Sequence, residues 1–220
     1  AAYLVDYWRI DGDCAHADAA VWEELADVID NRTYIDGDRE YPVTMSLIDA
    51  SYLPDTVYSF CAQWDAGVYP LRGRDKPTKG ARFQEFEIKE NATGTRYVLA
   101  TVDIYKDRWS AALKREWNGT SHMPRNNWSA PIDLPDKALK ELTVEYKREK
   151  RDPQSGKLLG TYWHRPGNAR QELWDLLVYN TAALEVVALD VCEQNLGLEY
   201  LSWADFWAEA SGGMYWSKAV

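Results

Sequence analysis

The segment NARQELWDLLVYNTAALEVVALDV, residues 168–191, reads as the longest helix of the chain, and every other element is placed around it. It contains no glycine or proline. On a helix, Asp175 shares a face with Gln171, Glu172, Val178, Tyr179 and Ala182, and Val186 follows further along. C-terminal to Asp175 this face is largely apolar and is expected to turn inward. A carboxylate there is costly unless it is paired, hydrogen-bonded or bound to a cation. Glu172 lies one turn earlier, so two acidic side chains project from one end of one face. Their repulsion would raise one pKa, and a divalent cation would relieve it. Two structural readings stand beside this one. Any acidic residue suits the first turn of a helix, as Glu172 does, and Asp175 could pair with Arg170 or another arginine.

Outward from this helix, strand patterns alternate with helical ones. Residues 2–10, 42–49 and 68–71 read as strands, 83–89 and 96–102 as a strand pair, and 142–150 with 158–164 as a hairpin turning at Asp152–Gly156. Residues 18–31, 54–65 and 104–117 have helical spacing, with Pro54 fitting a first helical turn. Residues 72–82 read as a basic loop and 118–136 as a proline-broken one. The tail holds a short helix with Leu201, Phe206 and Trp207 and frays at Gly212-Gly213. Strands interleaved with helices predict an α/β domain, a central mixed sheet flanked by helices.

The bulk properties narrow the function. A chain of 220 residues can bury a full core, and 11 Trp with 14 Tyr predict thick aromatic packing. The net charge of −10 argues against a general nucleic-acid binder, though local basic patches can still hold a duplex. Cys14, Cys61 and Cys192 are odd in number and far apart, so neither a disulfide framework nor a zinc site is expected. His16, His122 and His164 form no metal motif. No apolar run or signal peptide suggests a membrane, and a reducing cytoplasm is expected. In that setting the sequons at Asn31, Asn91, Asn118 and Asn127 carry no meaning.

Asp49 ends an otherwise apolar strand, and functional groups of α/β sheets collect at the carboxyl ends of strands. It also suits the opening of a turn. Carboxylates from a strand end and a facing helix are what a two-metal phosphodiester hydrolase requires, with Mg²⁺ or Mn²⁺ on hard oxygen ligands. There is no GxxxxGK[ST], so the segment is not itself an ATP motor. Arg72, Arg74, Lys76, Lys79 and Arg82 form a basic cluster suited to contacting phosphates without reading sequence. A second cluster, Lys147, Arg148, Lys150 and Arg151, is read as a solvated face.

Together these motifs resemble lambda-type (GpA-like) phage terminase large subunits. The segment Arg170 to Asp175, followed by Val178-Tyr179 and Ala182-Ala183-Leu184, resembles that family's RNExLD…YxxAAL stretch. Ile48-Asp49-Ala50-Ser51-Tyr52 with Thr56-Val57-Tyr58, and Val68-Tyr69-Pro70-Leu71-Arg72-Gly73, are similar to two further family segments. Leu4-Val5-Asp6-Tyr7 with Gly12-Asp13 resembles its second strand and turn.

The resemblance implies a ribonuclease-H-like nuclease domain over residues 1–194. In the tail, residues 195–220, Tyr200, Trp203, Phe206 and Trp207 could either dock a partner such as a capsid portal or pack on the chain's own core. It implies Asp49 and Asp175 as metal ligands with Glu172 beside them, and Arg72 or Lys76 on phosphate. The implied partners are double-stranded DNA, the ATPase domain of the same full-length chain, the small terminase subunit and the capsid portal, all in the host cytoplasm. The family's first strand carries its own metal-binding aspartate and would lie before Ala1. Either the chain lacks that strand or Asp6 substitutes. A resolvase-like nuclease, or a packaging and assembly module with an incomplete site, are the alternative readings.

Overall fold

The chain folds as a computed structural model that describes residues 2–115, 128–211 and 218–219. The first elements are β1 (Ala2–Tyr3), α1 (Ala20–Asn31), β2 (Thr33–Asp36), β3 (Arg39–Pro42), β4 (Ser46–Asp49) and α2 (Pro54–Cys61). The middle comprises β5 (Val68–Arg74), β6 (Phe86–Glu90), β7 (Arg96–Thr101), α3 (Val102–Leu113), β8 (Trp128–Ser129) and α4 (Asp136–Glu141). Then follow β9 (Tyr146–Arg151), β10 (Leu158–His164), α5 (Glu172–Asp190), a π-helical turn at Val191–Asn195, α6 (Trp203–Ser211) and β11 (Lys218–Ala219).

The central sheet has four strands in the order β4-β5-β7-β6. The β4, β5 and β7 strands run parallel, and β6 closes the far edge antiparallel to β7. Asp49 is in register with Leu71, and Leu71 with Val98, so the parallel strands finish along one edge. Helix α3 starts there, directly after β7.

Strand alternation divides β5 between two cores. Val68 joins Trp22, Ala50, Val57 and Phe60, the residues that α1 and α2 bring to one face. Tyr69 and Leu71 turn to the other face, where Val178, Ala182 and Val186 of α5 cover the sheet. At the N-terminal half of α5, Leu173, Trp174 and Leu177 pack with Leu134 and Ala138 in a third cluster, which Tyr7, Trp109, Trp128 and Trp163 border. Four of the 11 tryptophans gather here. A mixed α/β architecture with a helix-flanked mixed sheet is thus present.

Several expected elements differ. The strand expected over 2–10 is confined to β1, which pairs with two-residue β8 alone. With no longer partner to supply ladder hydrogen bonds, the apolar run after Leu4 stays irregular. The strand expected over 42–49 begins only at Ser46, because Arg39–Pro42 pairs instead with Thr33–Asp36. Arg72 and Arg74 lie in β5, where pairing with β7 extends the strand into the basic stretch. Helix α4 starts just after Pro135, where the proline-broken loop ends, in a short stretch that the sequence pattern assigns to no element. Strands β6, β7, β9 and β10 and helices α1, α2, α3 and α5 lie where the sequence places them, to within a few residues. Asn118, His122, Asn127 and Gly212-Gly213 fall outside the described residues. Among the described residues, no helix is long and apolar enough to cross a membrane.

Candidate active site

Asp49 stands at the carboxyl end of β4, and two contacts fix it. One oxygen accepts the Ser51 backbone N–H at 2.9 Å, the turn-opening role its position suggests. The other accepts the Tyr179 hydroxyl at 3.4 Å. Tyr179 sits one helical turn beyond Asp175 on α5, so this phenol joins the strand end to the helix. Burial pushes its pKa up, and the charges of Asp49 and Asp175 push it further. It therefore remains a donor at any physiological pH. Gly73 of β5 leaves room for it: a Cβ there would lie 4.0 Å from the Tyr179 hydroxyl and 3.1 Å from Val102 Cγ1.

Asp175 is half-buried. One of its oxygens accepts Gln171 Nε2 at 2.9 Å, and the other lies 3.9 Å from the Lys106 ammonium. Burial raises its pKa, the Gln171 hydrogen bond and Lys106 oppose the rise, and Glu145 and Glu172 add to it. The expected arginine partner is absent from this pair: Arg170 binds Glu141 at 3.1 Å instead. The buried Glu141 carboxylate also accepts the Leu173 N–H at 2.9 Å, which satisfies an open donor at the start of α5. That contact anchors the helix end bearing the acidic residues.

Lys106 and Glu145 complete the group, and the sequence reading named neither. The Lys106 ammonium, on α3, is 2.5 Å from Glu145, and their side chains are only 10% and 7% exposed. Trp174 Nε1 donates to the same Glu145 oxygen at 3.0 Å. Lysine is rarely buried without a partner, and here two carboxylates flank it. The available signals were a lysine beside buried Tyr105 on a helix starting at the functional sheet edge, and a glutamate immediately preceding a strand. Neither is specific without the tertiary contact.

The other candidates are dispersed. Glu172 is exposed on the first turn of α5, near enough to influence Asp175. Asp6 pairs with Arg32 and accepts the Tyr7 N–H at 2.8 Å, and no contact links it to Asp49 or Asp175 among the described residues. Arg72, Lys76 and Lys79 are exposed just beyond the sheet edge, with Arg72 close to the Tyr58 hydroxyl. Arg74 is taken up internally by Thr101 at 2.9 Å, Thr78 at 2.6 Å and Glu87. Arg82 reaches Glu193 at 2.5 Å and also the Glu199 carbonyl.

A cleft of about 390 Å³, lined by Phe83, Phe86, Lys89 and Arg96 among others, opens on the β6 side instead. Asp49, Asp175, Glu172 and Glu145 do not line it, so the strand-edge chemistry and not the cleft defines the site. Among the described residues, no group of three or more His, Cys, Asp or Glu is close enough together to enclose a metal ion.

The family model for the terminase large subunit gpA endonuclease domain matches residues 1–196. The chain belongs to this family. As a gpA endonuclease domain it is the nuclease part of a terminase large subunit, and the Asp49–Tyr179–Asp175 group lies within the matched span. No curated protein and no solved structure matches the chain.

Proposed function

We propose that this gpA nuclease domain cuts double-stranded DNA during phage genome packaging, with Mg²⁺ or Mn²⁺ held by Asp49 and Asp175. The observation that carries the reading is that the strand-end Asp49 accepts the hydroxyl of Tyr179, which stands one turn beyond Asp175 on α5. The donors fit such an ion. They are hard oxygens, and Mg²⁺ commonly takes one or two carboxylates, filling its remaining positions with water and substrate phosphate. Gln171 Oε1, buried beside Asp175, has no hydrogen-bond partner among the described residues and adds a further oxygen. When bound, the cation would neutralise charge at the scissile phosphate and make water a stronger nucleophile.

The chain's own residues divide the remaining work. Tyr179 orients Asp49, Gln171 and Lys106 orient Asp175, and Glu172 stands at the rim. Arg72, Lys76 and Lys79 hold the DNA backbone; Arg74 braces β5 through its internal bonds. A ribonuclease-H-like arrangement of the sheet accords with this placement. The same reading has the domain act in the host cytoplasm with its ATPase domain, the small subunit and the portal.

The test is cleavage of supercoiled plasmid in Mn²⁺ by the wild type, Asp49→Ala and Asp175→Ala. Both variants should lose activity, and equal cleavage by all three would sink the assignment. The lack of a three-donor group among the described residues favours a second reading, an assembly module with an incomplete site. Titration calorimetry decides between them: Mn²⁺ binding that Asp175→Ala abolishes rules out the second.

A further inference from the structure

The β9–β10 hairpin carries a concentration of positive charge that the carboxylate site does not explain. From Tyr146 through Arg165 stand six lysines and arginines against Glu149 and Asp152, in a chain whose net charge is −10. All six residues of β9 are exposed, and so are five of the seven of β10.

The pairing register assigns each residue to a face. Lys147 opposes Trp163, and this side is turned to the body of the protein. Trp163 packs on Trp174 with ring centroids 5.8 Å apart, and its indole donates to Asp107 at 3.0 Å. Lys147 binds the same Asp107 at 2.7 Å. The opposite side, with Tyr146 against His164, Arg148 against Tyr162 and Lys150 against Gly160, therefore faces solvent. Its rings form an edge-to-face row, Tyr146 and Tyr162 standing 5.4 and 6.2 Å from His164. Neither Arg148 nor Lys150 has an ion-pair partner among the described residues. Two exposed, unpaired cations spaced about 7 Å apart along a strand, next to a rigid aromatic row, suit a polyanion better than an apolar partner.

The root of the hairpin matters equally. Glu145, the residue before β9, binds Lys106 and Trp174 within the candidate site, and Trp163 of β10 stacks on that same Trp174. A ligand lying on the hairpin is thus directed toward Asp175.

We propose that the β9–β10 hairpin is a DNA-binding ribbon whose Tyr146, Arg148, Lys150 and Tyr162 face enters the major groove of the duplex being cut. The groove, about 12 Å wide, admits a two-stranded ribbon. This inference rests on the nuclease reading for its substrate, but it assigns a surface that reading does not use.

The test is fluorescence anisotropy of a labelled 30-base-pair duplex over a series of salt concentrations, with Ca²⁺ replacing Mn²⁺ to hold the DNA uncut. The Arg148→Ala/Lys150→Ala variant changes only exposed side chains, and an unchanged melting temperature confirms that it folds. Binding should weaken about tenfold, and the slope of log affinity against log salt should fall by about 2, one for each phosphate contact. Tyr162→Ala should weaken binding without altering the slope. An affinity and slope equal to wild type would overturn the ribbon, even if plasmid cleavage in Mn²⁺ is intact. Single-stranded DNA bound as tightly as duplex would overturn the groove placement. Wild-type binding that depends on the hairpin, without cleavage in Mn²⁺, would leave the ribbon standing and remove the nuclease reading. No duplex binding by the wild type at low salt would overturn the ribbon outright.

Discussion

At the residue scale, burial works against the acidic groups of α5. Asp175, Glu185 and Asp190 all have carboxyl pKa values raised, with loss of solvation the largest cause in each. Glu185 is compensated by the Tyr105 hydroxyl at 2.6 Å and Arg108 at 2.8 Å. Asp190 is less well served. Arg96 favours its charge and Glu193 disfavours it. A carboxyl whose folded pKa lies above its unfolded one stabilises the fold fully below the unfolded pKa, and that contribution is lost as pH rises through the folded pKa. Asp190→Asn removes the charge. Relative to wild type it should therefore gain stability as pH rises from about 4 through the raised pKa, and hold that gain at neutral pH. Urea midpoints for both proteins across this range are the measurement. A gain that shrinks with pH would show that Arg96, and not burial, dominates.

At the element scale, Gly73 lets the first residue of α3, Val102, pack closely on β5 beside Tyr179. A methyl there would press on Val102 at 3.1 Å and approach the Tyr179 hydroxyl. Overpacking of this kind costs about 1–3 kcal/mol. Gly73→Ala should cost near the low end in thermal denaturation yet slow plasmid cleavage about tenfold, since small displacements of positioning groups are amplified in rate. Cleavage that falls only with the folded fraction would show that the Tyr179–Asp49 contact is dispensable. The elements that were legible in the sequence carry their own period, as α5, the β6–β7 pair and the β9–β10 hairpin do. Those misplaced depend on a partner: the run after Leu4 lacks a strand to pair with, and Arg72 and Arg74 become strand because β7 is alongside. The same limit governed the site. Asp49 and Asp175 were visible as a strand end and a helix face, whereas Lys106 and Glu145 become site residues only once α3 and the approach to β9 fold against α5.

At the scale of the whole molecule, the question is where the cooperative unit ends. The family match stops at residue 196, yet Phe206 of α6 is 1% exposed and fills a cluster with Val187, Ala188, Val191 and Cys192. Tyr200 and Trp207 remain exposed at 58% and 52%, so the tail has an inward side, where Leu198, Leu201 and Ala210 join Phe206, and an aromatic outer surface. If the tail were a separate docking segment, removing Phe206 would loosen residues 197–211 and leave the sheet as stable as before. The packing implies the opposite, because the residues that receive Phe206 belong to the end of α5, the helix that covers the sheet, and to the π-helical turn that continues it. Replacing a fully buried Phe by Ala costs about 3–5 kcal/mol. Phe206→Ala should therefore lower the urea midpoint of the whole protein in a single transition. Hydrogen exchange should quicken in β5 and β7 as well as in α6, because global unfolding sets the rate in the most protected strands. Exchange that quickens in α6 alone would place the boundary of the folded unit before it.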